Sequence, residues 1–561
     1  MSDTESTLDA VTLEIIRNQL EGVAEEMGEV LITSAYSPNI KERRDCSTAL
    51  FDADGRLVAQ AEHIPVHLGA MPEAVDAVLD DEPKPGDVFV LNDPFAGGTH
   101  LPDITMVSPI SVAETGSAEA SSDAETSPEI VGYAVSRAHH ADVGGMTPGS
   151  MPAGARDIQQ EGLRLPPTRL VDGGEIDADV RELILANVRD SRERWADLRA
   201  QLAANERGGE RLRALLDEHG HEELLTAFDA VIDYSRDRVA SELSELPDGT
   251  WEASDALEGD GVTDVDIPIE VTVELDGGEA TVDFTGTAGQ VAGNLNAPLA
   301  VAKSAVYFVI RCVTDPEIPP NQGCYDPISV HVPSKSLLNP ESPAAVVGGN
   351  VETSQRVTDV TFAALANAAP EVVPAGGQGT MNNLTIGGRT DGDDEITAEE
   401  FSYYETIGGG FGARPSKDGM DGVQVGMTNT LNTPVEALEA AYPLAVERYA
   451  LRPGSGGNGR YRGGLGIERS VTLGTDATVS LLTERRRIPP RGIAGGADGA
   501  TGENFIDDEP VPAKTTREVD AGTTVTVRTP GGGGHGDPDE RDETLEARDR
   551  ADGKTGMENQ S

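Results

Sequence analysis

Apolar residues recur at three- and four-residue steps through Leu13, Ile16, Leu20, Val23, Met27 and Leu31, which predicts an amphipathic helix over about Thr12–Thr33. The pattern then changes period. The short runs Thr48–Phe51 and Leu57–Ala59 flank Asp52-Ala-Asp-Gly and predict a β-hairpin. A strand over Asp87–Leu91 delivers Asn92 and Asp93 at its end, and Ile104–Ile110 and Ile130–Val135 read as two more, the last delivering His139. Residues 177–245 return to a helical period through Leu183, Leu198, Leu202, Leu212, Leu215 and Leu216, until Pro247-Asp-Gly-Thr signals a turn. Val265–Phe284 alternates in strand fashion around Asp276-Gly-Gly, 348–426 is dense in glycine, and short strands dominate from Leu451.

The expected fold is therefore mixed α/β of the α+β kind, in several lobes. These are an N-terminal α/β region (1–175) with an acidic loop at 113–129, a helical region (176–246), a β-rich region (247–345), a glycine-rich α/β region (346–450), a C-terminal β region (451–537) and a disordered acidic tail (538–561). A chain of 561 residues exceeds what one core fills, which supports several lobes.

Composition narrows the function. The formal charge is −55, and only seven of the 43 basic residues are lysines. Such an acid excess fits a globular protein adapted to high salt, where ions screen self-repulsion. It excludes charge-driven binding to nucleic acid or to an anionic membrane. No apolar run is long enough for a membrane span, the first residues are polar and acidic, and a cytoplasmic location is expected. Cys46, Cys312 and Cys324 are too scattered for a disulfide framework or a zinc ribbon.

Five of the nine histidines lie between positions 63 and 140. The segment Asn92-Asp-Pro-Phe-Ala-Gly-Gly-Thr-His-Leu-Pro-Asp sits among them. Asp93, His100, Asp103 and one of His139 or His140 are expected to converge from strand ends on a divalent metal, with Glu62 as a further oxygen ligand. Carboxylate and imidazole without thiolate suit manganese, with iron or a catalytic zinc as alternatives. The competing reading is that Asp93 and Asp103 are turn residues beside prolines and the histidines are packed. His63 and His67 stand four apart, but Pro65 between them argues against a helical zinc face and leaves them as loop residues near the pocket.

Other chemistry is sparse. There is no P-loop and no Gly-x-Ser-x-Gly elbow. Gly454-Ser-Gly-Gly-Asn-Gly is followed by a strand- and turn-like segment, which excludes a dinucleotide site, and the run Gly408–Gly412 reads as close backbone packing. Cys46 beside Arg43 and Arg44 reads as a small core residue, and Arg485-Arg-Arg as salt-bridging.

These residues resemble the hydantoinase B/oxoprolinase family. The resemblance is carried by Ser34-Ala-Tyr-Ser-Pro-Asn-Ile-Lys-Glu-Arg-Arg-Asp-Cys-Ser, Ala61-Glu-His-Ile-Pro-Val-His-Leu-Gly, the 92–103 segment, Ala138-His-His-Ala-Asp-Val-Gly-Gly and Asp197-Leu-Arg-Ala-Gln. Glu405-Thr-Ile-Gly-Gly-Gly-Phe-Gly-Ala-Arg and Thr529-Pro-Gly-Gly-Gly-Gly extend it toward the C-terminus. It implies a subunit of an ATP-dependent cyclic-amide hydrolase, of the N-methylhydantoinase or 5-oxoprolinase type. ATP would bind on a partner, a hydantoinase A-type ATPase subunit, which activates the ring amide. It also implies a metal, manganese first, on Asp93, His100, Asp103 and His139 or His140, with Glu62 less secure. His63 or His67 would move protons, and Asp142 would orient a ligand histidine. An acetone carboxylase-type alpha subunit and a non-catalytic scaffold for the ATPase chain are the alternatives.

Overall fold

The computed structural model describes residues 8–112, 128–390 and 400–555. Most of the acidic loop placed at 113–129 lies outside them. A seven-stranded antiparallel sheet organises the N-terminal region, in the order β2-β1-β5-β4-β3-β6-β7. Its strands are β1 (Cys46–Asp52), β2 (Leu57–Glu62), β3 (Val88–Leu91), β4 (Asp103–Val112), β5 (Glu129–His139), β6 (Thr168–Asp172) and β7 (Glu175–Ile176). The hairpin, the β3 strand and both later strands thus form where the alternating pattern placed them.

The N-terminal helix, Ala10–Ser34, starts at Asp9, whose carboxylate accepts from the N–H groups of Val11 and Thr12. It buries Ile16, Leu20, Val23, Met27 and Leu31, the stripe expected from the sequence. The helix Ser191–His219 lies against it and against β4 and β5, and Met27 meets Gly208, where a side chain would crowd its sulfur. Two further helices, Ala178–Leu185 and His221–Leu243, complete the helical region. Leu183 departs from the expected apolar set: it is 60% exposed, because its two-turn helix buries only Ile184.

Three more sheets follow. Gly249–Leu257, Ile267–Asp276, Glu279–Asp283 and Ile328–His331 form one, with strict in–out alternation along Ile267–Asp276. In the second, Asn383–Arg389 pairs with both Glu400–Glu405 and Ala477–Leu482. This sheet runs across position 450, joining the glycine-rich and C-terminal regions. The last sheet is built on Leu444–Leu451, Ile467–Leu473 and Thr524–Arg528.

The glycine runs pack backbone on backbone. Gly410 N–H donates to Pro530, Gly464 to Phe411, Gly532 to Gly464 and Gly533 to Gly376. A methyl on Gly463 would sit 1.9 Å from the Gly532 carbonyl oxygen, so these segments approach too closely for any side chain. Close packing is thus the role of Gly408–Gly412, as expected.

The disordered tail expected at 538–561 requires correction over its described part. Asp542 caps a helix over Glu543–Ala551. Arg541 bridges Asp418 and Asp549, Arg462 also reaches Asp549, and Lys554 pairs with Asp421. Charge pairing holds this segment, which an apolar pattern could not reveal. No helix among the described residues is long and apolar enough to cross a membrane.

Candidate metal centre

The antiparallel register between β4 and β5 sets Asp103 directly opposite His139. His100 comes from the loop between β3 and β4. That loop is clamped by Asn92, whose Nδ2 donates to the Leu101 and Leu163 carbonyls while its Oδ1 accepts from the Leu165 N–H. Gly97 turns it at φ +88°, where a Cβ would lie 2.7 Å from the Glu73 carbonyl oxygen. The result is a buried cluster. His100 Nε2 and His139 Nδ1 lie 3.0 Å and 3.1 Å from Asp103 Oδ1. One ligand atom from each of the three residues falls within 4.8 Å of the others.

Burial alone would raise the Asp103 carboxyl pKa. The neighbouring His100 and hydrogen bonds from His100, His139 and His67 outweigh it and hold the group well below the carboxylate range. Burial pushes the His100 imidazole down, against the pull of Asp103. Both ring nitrogens of His100, and Nε2 of His139, are buried without a hydrogen-bond partner. Orphaned imidazole nitrogens beside an ionised carboxylate are what a cation-binding site presents before a cation is added. The donor set of two imidazoles and one carboxylate fits a borderline divalent ion with open positions.

His67 completes one wall. Its Nδ1 is 2.9 Å from Ser47 Oγ and its Nε2 3.4 Å from Asp103 Oδ2. Asp45, His67, Asp103, His139, Asn350 and Tyr404 border a cavity with a water-accessible volume of ≈ 10 Å³. That is room for one water molecule or one ion. Tyr404 stacks on His139 at 4.7 Å, and its hydroxyl donates to Asn383 Oδ1, whose amide in turn donates to Glu352. Asn350 approaches Asp103 from a π-helical turn, Gly349–Thr353, that also carries Glu352.

The other residues singled out in the sequence stand elsewhere. His140 follows His139 and so faces the opposite side of the strand. Its Nε2 is 3.0 Å from Gln201 Oε1. Gln201 Nε2 donates to the Ile104 and Ser136 carbonyls, so the amide oxygen must accept and His140 must carry the proton on Nε2. Burial pushes the His140 pKa down to about 4, so the ring is neutral at neutral pH.

Asp93 is a turn residue: it accepts from the Phe95 N–H and pairs at 3.5 Å with Arg164. Glu62 ends β2 opposite Ser47, outside the trio, where burial raises its carboxyl pKa against the pull of Arg311. His63 packs on the N-terminal helix at Gly28. Asp142 accepts from the N–H groups of Gly144, Gly149 and Arg189 and from the Arg189 side chain, which makes it a loop anchor rather than a partner of a histidine. Cys46 is buried and its thiol pKa is raised, which excludes a thiolate.

Sequence reasoning passed over Asp45, Asn350, Tyr404 and Gln201. Two of them stood inside quoted motifs, Arg43-Arg-Asp-Cys-Ser and Asp197-Leu-Arg-Ala-Gln. The second motif is the visible part of a buried polar stripe. Asp197 accepts from the Tyr36 and Ser37 N–H groups, Gln201 binds as above, and Asn205 donates to the Met106 carbonyl and to Ser108.

Comparison with known proteins places these motifs in context. The hydantoinase B/oxoprolinase family profile matches residues 9–538. An uncharacterised protein of Methanocaldococcus jannaschii is 41% identical over 98% of this chain and 94% of its own length. The 5-oxoprolinase 1 of Arabidopsis thaliana is 40% identical over 95% of this chain, which spans only 42% of that longer protein. Among solved structures, the ATP-dependent caprolactamase from Pseudomonas jessenii superposes with a TM-score of 0.88 at 29% identity, covering 98% of this chain and 95% of that one.

Proposed function

Since the chain belongs to the hydantoinase B/oxoprolinase family, we propose that it is the ring-opening subunit of an ATP-dependent cyclic-amide hydrolase whose ATP is bound by a separate hydantoinase A-type ATPase subunit. The observation that carries this reading is the buried His100–Asp103–His139 cluster with its unpartnered imidazole nitrogens. The separate ATPase is supported by length. More than half of the Arabidopsis 5-oxoprolinase lies beyond the part this chain matches, whereas the caprolactamase chain, named ATP-dependent, is covered almost entirely.

His100, Asp103 and His139 would hold a divalent cation, manganese in the first instance and zinc or iron otherwise, and Asp45 borders the same cavity as a further oxygen donor. When bound, such an ion supplies Lewis acidity toward an acyl oxygen and lowers the pKa of a water. The chain's own residues do the rest. Asp103, ionised at neutral pH, fixes both imidazoles by accepting from them. The stack of Tyr404 holds the His139 ring plane. His67, between Ser47 Oγ and Asp103 Oδ2, is placed to move a proton at Nε2. Opening the ring adds water oxygen to the carbonyl carbon, breaks the C–N bond and puts a proton on the departing nitrogen. His67 is the candidate donor of that proton.

The test is reconstitution with the ATPase subunit. Metal content by mass spectrometry and ATP-dependent opening of hydantoin, 5-oxoproline and caprolactam are measured for wild type and Asp103→Ala. Both metal and activity should be lost in the variant, and turnover should need no bicarbonate. Full activity with normal metal content in Asp103→Ala would sink the assignment, and a bicarbonate requirement would move it to a carboxylase.

A further inference from the structure

A cavity that admits one water or ion cannot also house an organic ring, so the ring must sit beside it. Val351, on its wall, belongs to the turn Gly349–Thr353, which continues without interruption into the helix Ser354–Ala368. Four residues on, Gln355 borders a second cavity, a step of about 6 Å along the axis at the α-helical rise. Thr358, Asp359, Phe362, Ala363 and Ala366 continue that border at helical spacing. One stripe of one helix therefore walls both spaces.

The second cavity has a water-accessible volume of ≈ 80 Å³. Phe308, Phe362, Phe411, Val425 and Ile493 make its surface mainly apolar, and Ala363 and Ala366 leave it open where larger side chains would fill it. Its polar part is Asp255, Asp359 and Arg485. Arg485 lies 3.1 Å from Asp255 and also pairs with Asp359, and its backbone is held at φ +60°, a conformation uncommon for a non-glycine residue. Between the two cavities stands Gln355, buried, with Nε2 donating to the Val425 carbonyl at 2.9 Å and Oε1 against Gly426.

Resting on the cyclic-amide reading above, we propose that this cavity seats the hydrocarbon ring of the cyclic amide, with the amide edge at the Gln355 end beside the metal cluster. An apolar chamber with a few hydrogen-bonding groups at one side is the general form of a small-molecule site.

The native cysteines provide the assay. Cys312 is exposed and borders this cavity, while Cys46 and Cys324 are buried. N-ethylmaleimide should therefore modify Cys312 alone in the full manganese-loaded chain, and saturating caprolactam should slow that modification several-fold. Ala366→Phe and Ala363→Leu, both at half-buried helix positions, fill the cavity from two points. Each should abolish protection while manganese content stays at the wild-type level. No protection of the wild-type chain, or undiminished protection in both variants, overturns the proposal. The assay uses neither ATP nor the ATPase subunit. Failure of ring opening with protection intact would therefore fall on the hydrolase reading and leave the cavity assignment standing.

Discussion

Gln201→Leu tests whether the buried polar stripe of Ser191–His219 positions the metal cluster. The side chain is fully buried and joins three groups: its oxygen accepts from His140 Nε2, and its nitrogen donates to the Ile104 carbonyl at 2.9 Å and the Ser136 carbonyl at 3.3 Å. Leucine fills nearly the same volume and makes none of these bonds. Each buried polar group left unpaired costs about 1–3 kcal/mol, so losing the two shortest bonds costs about 3 kcal/mol. Ile104 follows Asp103 on β4, and Ser136 lies three residues before His139 on β5, so the loss falls on the two strands that carry the cluster. The assay is hydrogen exchange resolved to individual segments. Amides of β4 and β5 should exchange roughly 100-fold faster, since about 1.4 kcal/mol corresponds to a factor of ten. The glycine-packed C-terminal segments should be unaffected. Exchange in β4 and β5 within threefold of wild type would refute the reasoning.

Four further outcomes follow from the same geometry. His139→Ala should lose stoichiometric manganese in equilibrium dialysis while His140→Ala keeps it, because only the first ring belongs to the cluster. Arg356→Met should lower unfolding free energy by about 3–5 kcal/mol in denaturant titration, since it leaves buried Glu484 and Asp255 short of a partner. Glu161 is pushed up to about 8 by burial, against hydrogen bonds from the Val347 and Val346 N–H groups. An acid whose folded pKa lies above its unfolded value of 4.5 contributes stability at low pH that is lost as pH rises toward 8. Glu161→Gln should therefore flatten the decline in stability between pH 5 and 8, which is about 4 kcal/mol at most, and an unchanged pH profile would count against it. Arg541→Ala should speed proteolytic removal of the Glu543–Ala551 helix, because its guanidinium joins Asp418 to Asp549.

The sequence showed which segment bears the chemistry, but only the strand register shows which residues meet. His139 and His140 are equivalent to any reading of composition or spacing. They separate because adjacent residues of a strand face opposite sides, and because β5 runs through to His139 rather than stopping near Val135. Asp93 and Asp103 both flank prolines in one segment, and either could be a turn residue. Arg164 and the Phe95 N–H occupy Asp93, whereas three imidazoles surround Asp103. Glu62 pairs with Ser47 in register, yet it is Ser47 that reaches His67 while Glu62 stands outside the cluster.

Tyr404 and Asn350 lie some 250 to 300 residues beyond the cluster in sequence, and no local pattern connects them to it. The same long-range closure explains the size of the metal cavity. Strand ends from the N-terminal sheet supply the ligands, while the turn Gly349–Thr353 and the strand Glu400–Glu405 supply the lid of Asn350, Val351 and Tyr404. That lid shrinks the space to an ion's size and moves the room for a ring one helical turn along Ser354–Ala368. A chain that binds its metal in one compartment and has apolar space only in the next must bring an amide edge past Gln355 to react. Residues 351–355 therefore control access, and substitutions there should change KM before they change metal content.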